Sequence, residues 1–103
     1  MTSTGLNELS AAIYTWAKGH GFWESRADLY EVLAIKVALI HSEATEALEA
    51  LRKEDYVNFA EELADIIIRV LDTAGHMQID IEKEVLNKMA KNNNRPHKHG
   101  KAF

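Results

Sequence analysis

Two pairs of acidic residues share one spacing. Glu43 and Glu46 are three apart, and so are Glu62 and Asp65. On a helix this spacing puts both members of a pair on one face, a turn apart. Apolar residues flank each pair: Leu39, Ile40, Ala44 and Ala47 around the first, Leu63, Ala64, Ile66 and Ile67 around the second. If those faces meet, four carboxylates converge inside a helical bundle, and their charge must be met by a cation or by protonation. An all-oxygen donor set suits Mg²⁺, Mn²⁺ or Ca²⁺, whereas di-iron bundles use a Glu-x-x-His motif that this chain lacks. Mg²⁺ usually keeps several waters and binds through carboxylates together with substrate phosphates, so these residues point to phosphate chemistry. The plain alternative is four solvated helix positions making surface ion pairs.

Weaker signals lie around these pairs. Gly19-His20-Gly21 leads into Phe22 and Trp23, whose rings either stack on a base or cap the end of the bundle. Lys36 lies seven residues before Glu43, two turns up the same face, where it either reaches a phosphate or is simply solvated. Arg69 either contacts a phosphate or pairs with Asp65 or Asp72 across a turn. Asp72 and His76 are four apart, the spacing of a metal pair, but a His near a helix end also interacts with the last carbonyls. His97 and His99 read as flexible basic residues.

The elements that position these groups are helical. The chain has 103 residues, enough for one small domain, and 47% of them are hydrophobic. A chain this short buries a modest fraction of its surface, which leaves room for a partner subunit. A formal charge of −4 argues against a dedicated nucleic-acid-binding domain. The absence of cysteine excludes disulfides, thiolate nucleophiles and Cys-based metal sites. No apolar run approaches the ~18–20 residues of a membrane span, and no basic region followed by an apolar stretch opens the chain. The expectation is a soluble cytoplasmic protein. Its charge is uneven: residues 1–87 carry seven basic and sixteen acidic side chains, while residues 88–103 carry five basic side chains and no acid.

Apolar residues recur with a helical period throughout. A first helix is expected from about Thr4 to Lys18, ended by Gly19 and Gly21. Asp28 with Glu31 resembles a capping box and opens a second helix of roughly 25 residues, ~37 Å long, fading at Arg52–Lys53. Asp55 starts a third, closing near Gly75 and apolar almost all round at Ile66–Leu71, as for a helix buried on several sides. Asp80 starts a fourth, which runs to about Lys91. The expected architecture is all-α and four-helix bundle-like, with residues 1–96 as the domain and residues 97–103 as a basic arm.

With these motifs in place, the chain resembles the MazG-like nucleoside triphosphate pyrophosphohydrolases. Glu43-Ala-Thr-Glu46 and Glu62-Leu-Ala-Asp65 are similar to their Glu-x-x-Glu…Glu-x-x-Asp signature. Lys88-Met-Ala-Lys-Asn92-Asn-Asn-Arg95-Pro96 is similar to the closing segment of many members. The resemblance covers about residues 30–96. It implies hydrolysis between the α- and β-phosphates of a (deoxy)nucleoside triphosphate, giving monophosphate and pyrophosphate. It also implies that Glu43, Glu46, Glu62 and Asp65 hold Mg²⁺, with Mn²⁺ as a substitute, and that Lys88, Asn92 and Arg95 approach the nucleotide. Glu46 is favoured as the carboxylate that takes the proton of the attacking water. Lys36 and Trp23 complete the candidate substrate contacts. Two positions depart from the family pattern. Ser42 stands where many members have a further acid, and Arg69 stands where pyrimidine-selective members often have an aromatic residue.

The leading expectation is a Mg²⁺-dependent enzyme that controls a nucleotide pool and assembles as a homodimer or homotetramer. Its partner is the nucleoside triphosphate, with no nucleic-acid polymer and no membrane. The alternatives are a non-catalytic helical interaction module and a nucleotide-sensing protein that retains the site.

Overall fold

The computed structural model describes residues 5–102. Four α-helices follow one another: α1 (Leu6–Gly19), α2 (Leu29–Arg52), α3 (Tyr56–His76) and α4 (Ile81–Asn93). A short 3₁₀ turn, His97–Gly100, follows Pro96. The expected all-α class with four helices is what the structure has. Thr4, the expected first residue of α1, lies outside the described residues.

Three aspartates begin the later helices as the sequence requires. Asp28, Asp55 and Asp80 each accept a hydrogen bond from the backbone N–H three residues on, that of Glu31, Asn58 and Lys83, at 3.0, 3.0 and 3.1 Å. Each side chain thereby satisfies one of the donors left open at a helix start. Gly21, at φ +81°, ends α1 in the left-handed conformation that glycine adopts without penalty.

Gly75 does something else. It stands near the close of the third helix, as expected, one residue before α3 ends at His76. A Cβ at Gly75 would lie 2.7 Å from Tyr14 Cβ and 2.9 Å from the Ser10 carbonyl oxygen. The glycine is there so that α1 can approach α3. Ser10 is buried at this contact, and its hydroxyl donates to the Leu71 carbonyl oxygen. Ala17, Leu71 and Ala74 are buried as well, and with Ala47 and Ala50 they make up the buried apolar core.

Helix α3 is therefore central, packed on α1 along one side and on α2 along another. Helix α4 meets α1 at its first turn. Asn7 Nδ2 donates to Asp80 Oδ1 at 2.7 Å, and the Leu6 N–H donates to Glu82 Oε1 at 3.3 Å. Beyond that turn no α4 residue is buried. The sequence implied that α3 is covered on several sides, but Leu63, Ile67 and Ile68 are all exposed in the single chain, Ile67 at 53%. One chain has no further helix to lay over them, because α4 projects away.

Candidate active site

Helices α2 and α3 bring three of the four acidic candidates together. Oxygens of Glu43, Glu62 and Asp65 lie within 4.8 Å of one another. The packing of α2 on α3 juxtaposes the two helix faces that the three-residue spacings define. Glu43 is the most enclosed, its side chain 12% exposed, and its Oε1 accepts from Arg69 Nε at 2.9 Å. Glu43 Oε2 and Glu62 Oε2 are both buried without any hydrogen-bond partner. An orphaned buried carboxylate oxygen is costly, and two of them side by side call for a cation. Glu46 is exposed and lies outside this tight group, although its charge still acts on Glu62.

The electrostatics follow from the geometry. The Arg69 guanidinium holds the Glu43 carboxyl below its ordinary pKa, against the opposing effect of burial. Loss of water around Glu62, together with its neighbours Glu43, Glu46 and Asp65, pushes that carboxyl up to about 7. Like charges packed this closely cannot all ionise freely unless something positive joins them. The donor set is all oxygen and carboxylate-rich, which fits a hard divalent cation.

Beside the carboxylates lies a cavity of about 610 Å³. Its size falls in the ~300–1,000 Å³ range of small-molecule sites. Glu43, Asp65, Arg69 and Asp72 supply charge, while Ile13, Trp16, Phe22 and Ile68 supply apolar wall. Trp16 and Phe22 meet edge-on, with ring centroids 5.5 Å apart.

Other candidates are elsewhere. Trp23 is not a free stacking ring. It lies flat on His76 at 3.8 Å, its indole N–H donates to Asp72 Oδ1 at 2.9 Å, and the edge of Tyr14 meets it. Lys36 sits over the Trp23 ring at 4.4 Å and donates to the Phe22 carbonyl oxygen at 2.7 Å. Together they brace the loop that carries Phe22. Asp72 and His76 are joined through Trp23 rather than by a shared metal position. Neither Lys88, Asn92 nor Arg95 lines the carboxylate cavity; Lys88 and Asn92 line a separate shallow groove on α4.

Two features escaped the sequence. Trp16 was an apolar position of the first helix, and no spacing rule links it to Phe22 across a glycine turn. Arg69 was expected on Asp65 or Asp72 if it paired at all, but it crosses to α2 and takes Glu43. The signal for it was present, because Arg69 lies four residues after Asp65 and so on the carboxylate face.

A family model, the MazG nucleotide pyrophosphohydrolase domain, matches residues 33–100. No curated protein and no solved structure matches the chain. Among the described residues no helix is long and apolar enough to cross a membrane.

Proposed function

The chain belongs to the MazG nucleotide pyrophosphohydrolase family, and we propose that it hydrolyses a (deoxy)nucleoside triphosphate to the monophosphate and pyrophosphate. The setting is cytoplasmic control of a nucleotide pool. One observation carries the reading: two orphaned carboxylate oxygens, on Glu43 and Glu62, in a cluster whose Glu43 and Asp65 line an aromatic-walled cavity.

Glu43, Glu46, Glu62 and Asp65 hold Mg²⁺, or Mn²⁺ in its place. When bound, the metal lowers the pKa of its water and neutralises charge on the phosphates. Glu46, exposed at the edge of the cluster, is free to take a proton from the attacking water. Trp16 and Phe22 offer ring faces to a base at the apolar end of the cavity. The hydrolase domain spans residues 1–96, and residues 97–103 form a basic arm that opens with the 3₁₀ turn.

A homodimer, or a homotetramer built from it, completes this site. The chain exposes 8165 Å², against about 5,800 Å² for a compact monomer of its mass. Its radius of gyration is 16.0 Å, against about 13 Å for a compact chain of this length. Val85, Leu86 and Met89 on α4 and Ile35 and Val37 on α2 are exposed in it. Pairing would cover them and carry one chain's Lys88, Asn92 and Arg95 towards the carboxylates of another. Light scattering at micromolar concentration should give at least twice 11.6 kDa. An active species of that single mass excludes the shared site.

The activity is tested with a panel of eight nucleotides assayed for pyrophosphate. Release of pyrophosphate with Mg²⁺, and none with EDTA, supports the hydrolase. Diphosphate as the first product refutes the bond assignment, and binding without turnover identifies a sensor.

A further inference from the structure

We infer that Arg69 is an exchangeable counter-cation: it holds Glu43 in the metal-free protein, and a metal ion displaces it onto the triphosphate. The inference rests on the reading of Glu43, Glu62 and Asp65 as metal ligands. Three observations carry it. Arg69 Nε meets Glu43 Oε1 at 2.9 Å, within the very group whose oxygens lie close enough to share one ion. Arg69 also lines the 610 Å³ cavity in which a substrate of that site must lie. Its side chain is 37% exposed, three times the exposure of the carboxylate it contacts, so the guanidinium has solvent to turn into.

The chemistry runs in two directions. Guanidinium does not lose its proton, so Arg69 remains a full positive charge beside Glu43 under all ordinary conditions. A divalent cation arriving at Glu43 and Glu62 meets that charge at contact distance and must compete with it. Once the ion binds, Glu43 no longer needs Arg69, and the two cations repel. A triphosphate in the same cavity offers the guanidinium a stronger anion, with oxygens that match its planar fork. Arg69 thus opposes metal binding in the empty enzyme and favours substrate binding in the loaded one. Metal and nucleotide are thereby coupled: each makes room for the other.

The experiment measures Mn²⁺ binding to the full-length protein by electron paramagnetic resonance, with no nucleotide present, for wild type, Arg69→Met and Arg69→Lys. Inorganic tripolyphosphate binding is then titrated at saturating Mn²⁺, so that base identity plays no part. Circular dichroism checks that each variant is folded. Arg69→Met should bind Mn²⁺ more tightly by roughly tenfold, about the worth of one charge-assisted contact. It should bind tripolyphosphate more weakly by a similar factor, and Arg69→Lys should lie between it and wild type in both assays. Unchanged or weaker Mn²⁺ binding by Arg69→Met overturns the inference, since Arg69 would then merely orient Glu43. Unchanged tripolyphosphate binding overturns it as well. A wild-type protein that binds no Mn²⁺ refutes the metal site itself and the inference with it.

Discussion

Helix α3 meets its two neighbours in opposite ways. Towards α1 it presents Leu71, Ala74 and Gly75, and the helices close until Ser10 is buried with its hydroxyl satisfied by the Leu71 carbonyl. Towards α2 it presents Glu62, Asp65 and Arg69, and the contact leaves two buried oxygens without partners beside an open cavity. The first contact is close and leaves its buried hydroxyl paired, while the second is charged and leaves buried oxygens unpaired. On the proposed function, stability and chemistry fall on different sides of one helix, as expected when a preorganised site must be held by a frame that does not yield. The α2 side can tolerate unpaired carboxylates because the α1 side fixes the helix.

That contrast is broken most sharply from the charged side. Asp65→Asn should lower pyrophosphate release by on the order of a thousandfold, which corresponds to several kcal/mol of lost charge stabilisation in the transition state. The same change removes one of several clustered negative charges. The melting temperature of the metal-free protein should therefore hold or rise. Calorimetry and a pyrophosphate assay on the same preparation check both halves. Near-normal turnover would show that Asp65 is not a required ligand.

The opposite outcome belongs to Gly75→Ala. The added Cβ would meet Tyr14 Cβ at 2.7 Å and the Ser10 carbonyl oxygen at 2.9 Å, and neither is the far end of a flexible side chain. Overpacking of this kind costs about 1–3 kcal/mol, enough to outweigh the ~1 kcal/mol that alanine gains over glycine within a helix. A net loss of about 1 kcal/mol lowers the melting temperature by roughly 4–8 °C in a domain of this size. The carboxylates are untouched, so turnover per folded molecule should change little at a temperature where the variant is folded. A melting temperature equal to wild type would mean that α1 and α3 can separate at no cost.

The two sides were not equally legible in the sequence. Helix starts were plain, because an aspartate cap acts within three residues: Asp28, Asp55 and Asp80 each do locally what their positions announce. The carboxylate spacing was plain for a related reason, since it is set within each helix, although only the packing of α2 on α3 brings Glu43, Glu62 and Asp65 together. Gly75 marks the close of α3 to within one residue, as expected, but only the approach of Tyr14 and Ser10, more than sixty residues away, reveals its packing role. Trp23 left two readings open, a ring that stacks on a base or a cap over the end of the bundle, for the same kind of reason. Its partners Asp72 and His76 come from α3 and Lys36 from α2, and they occupy the ring that looked available to a base. Local chemistry can be read from spacing, whereas contacts between distant segments have no local signal.

The smallest effect separates the two sides by pH. Glu62 is faced by Glu43 and Glu46 from α2 and by Asp65 on its own helix. Desolvation and those carboxylates raise it to about 7, from an ordinary value of 4.5. A carboxyl raised by folding contributes stability that is fully present below about pH 4.5, declines as pH rises through 7, and is absent above. Glu62→Gln stays neutral throughout and escapes that decline. In metal-free buffer its melting temperature should therefore gain on wild type between about pH 4.5 and 7, with no further gain beyond. Glu43, lowered by Arg69, acts with the opposite sign, but it is present in both proteins and largely cancels from the difference. Adding Mg²⁺ at pH 8 should reverse the ranking. The ion binds only the folded, deprotonated cluster and stabilises wild type more than the variant. Gly75→Ala removes no titrating group, so that protein should keep the wild-type pH dependence at a lower melting temperature. Thermal melts of the three proteins across pH 4–8, with and without Mg²⁺, check this. A wild-type minus Glu62→Gln difference that is flat in pH would show that Glu62 is as well solvated as an isolated carboxylate, and that the charged side of α3 is not under strain.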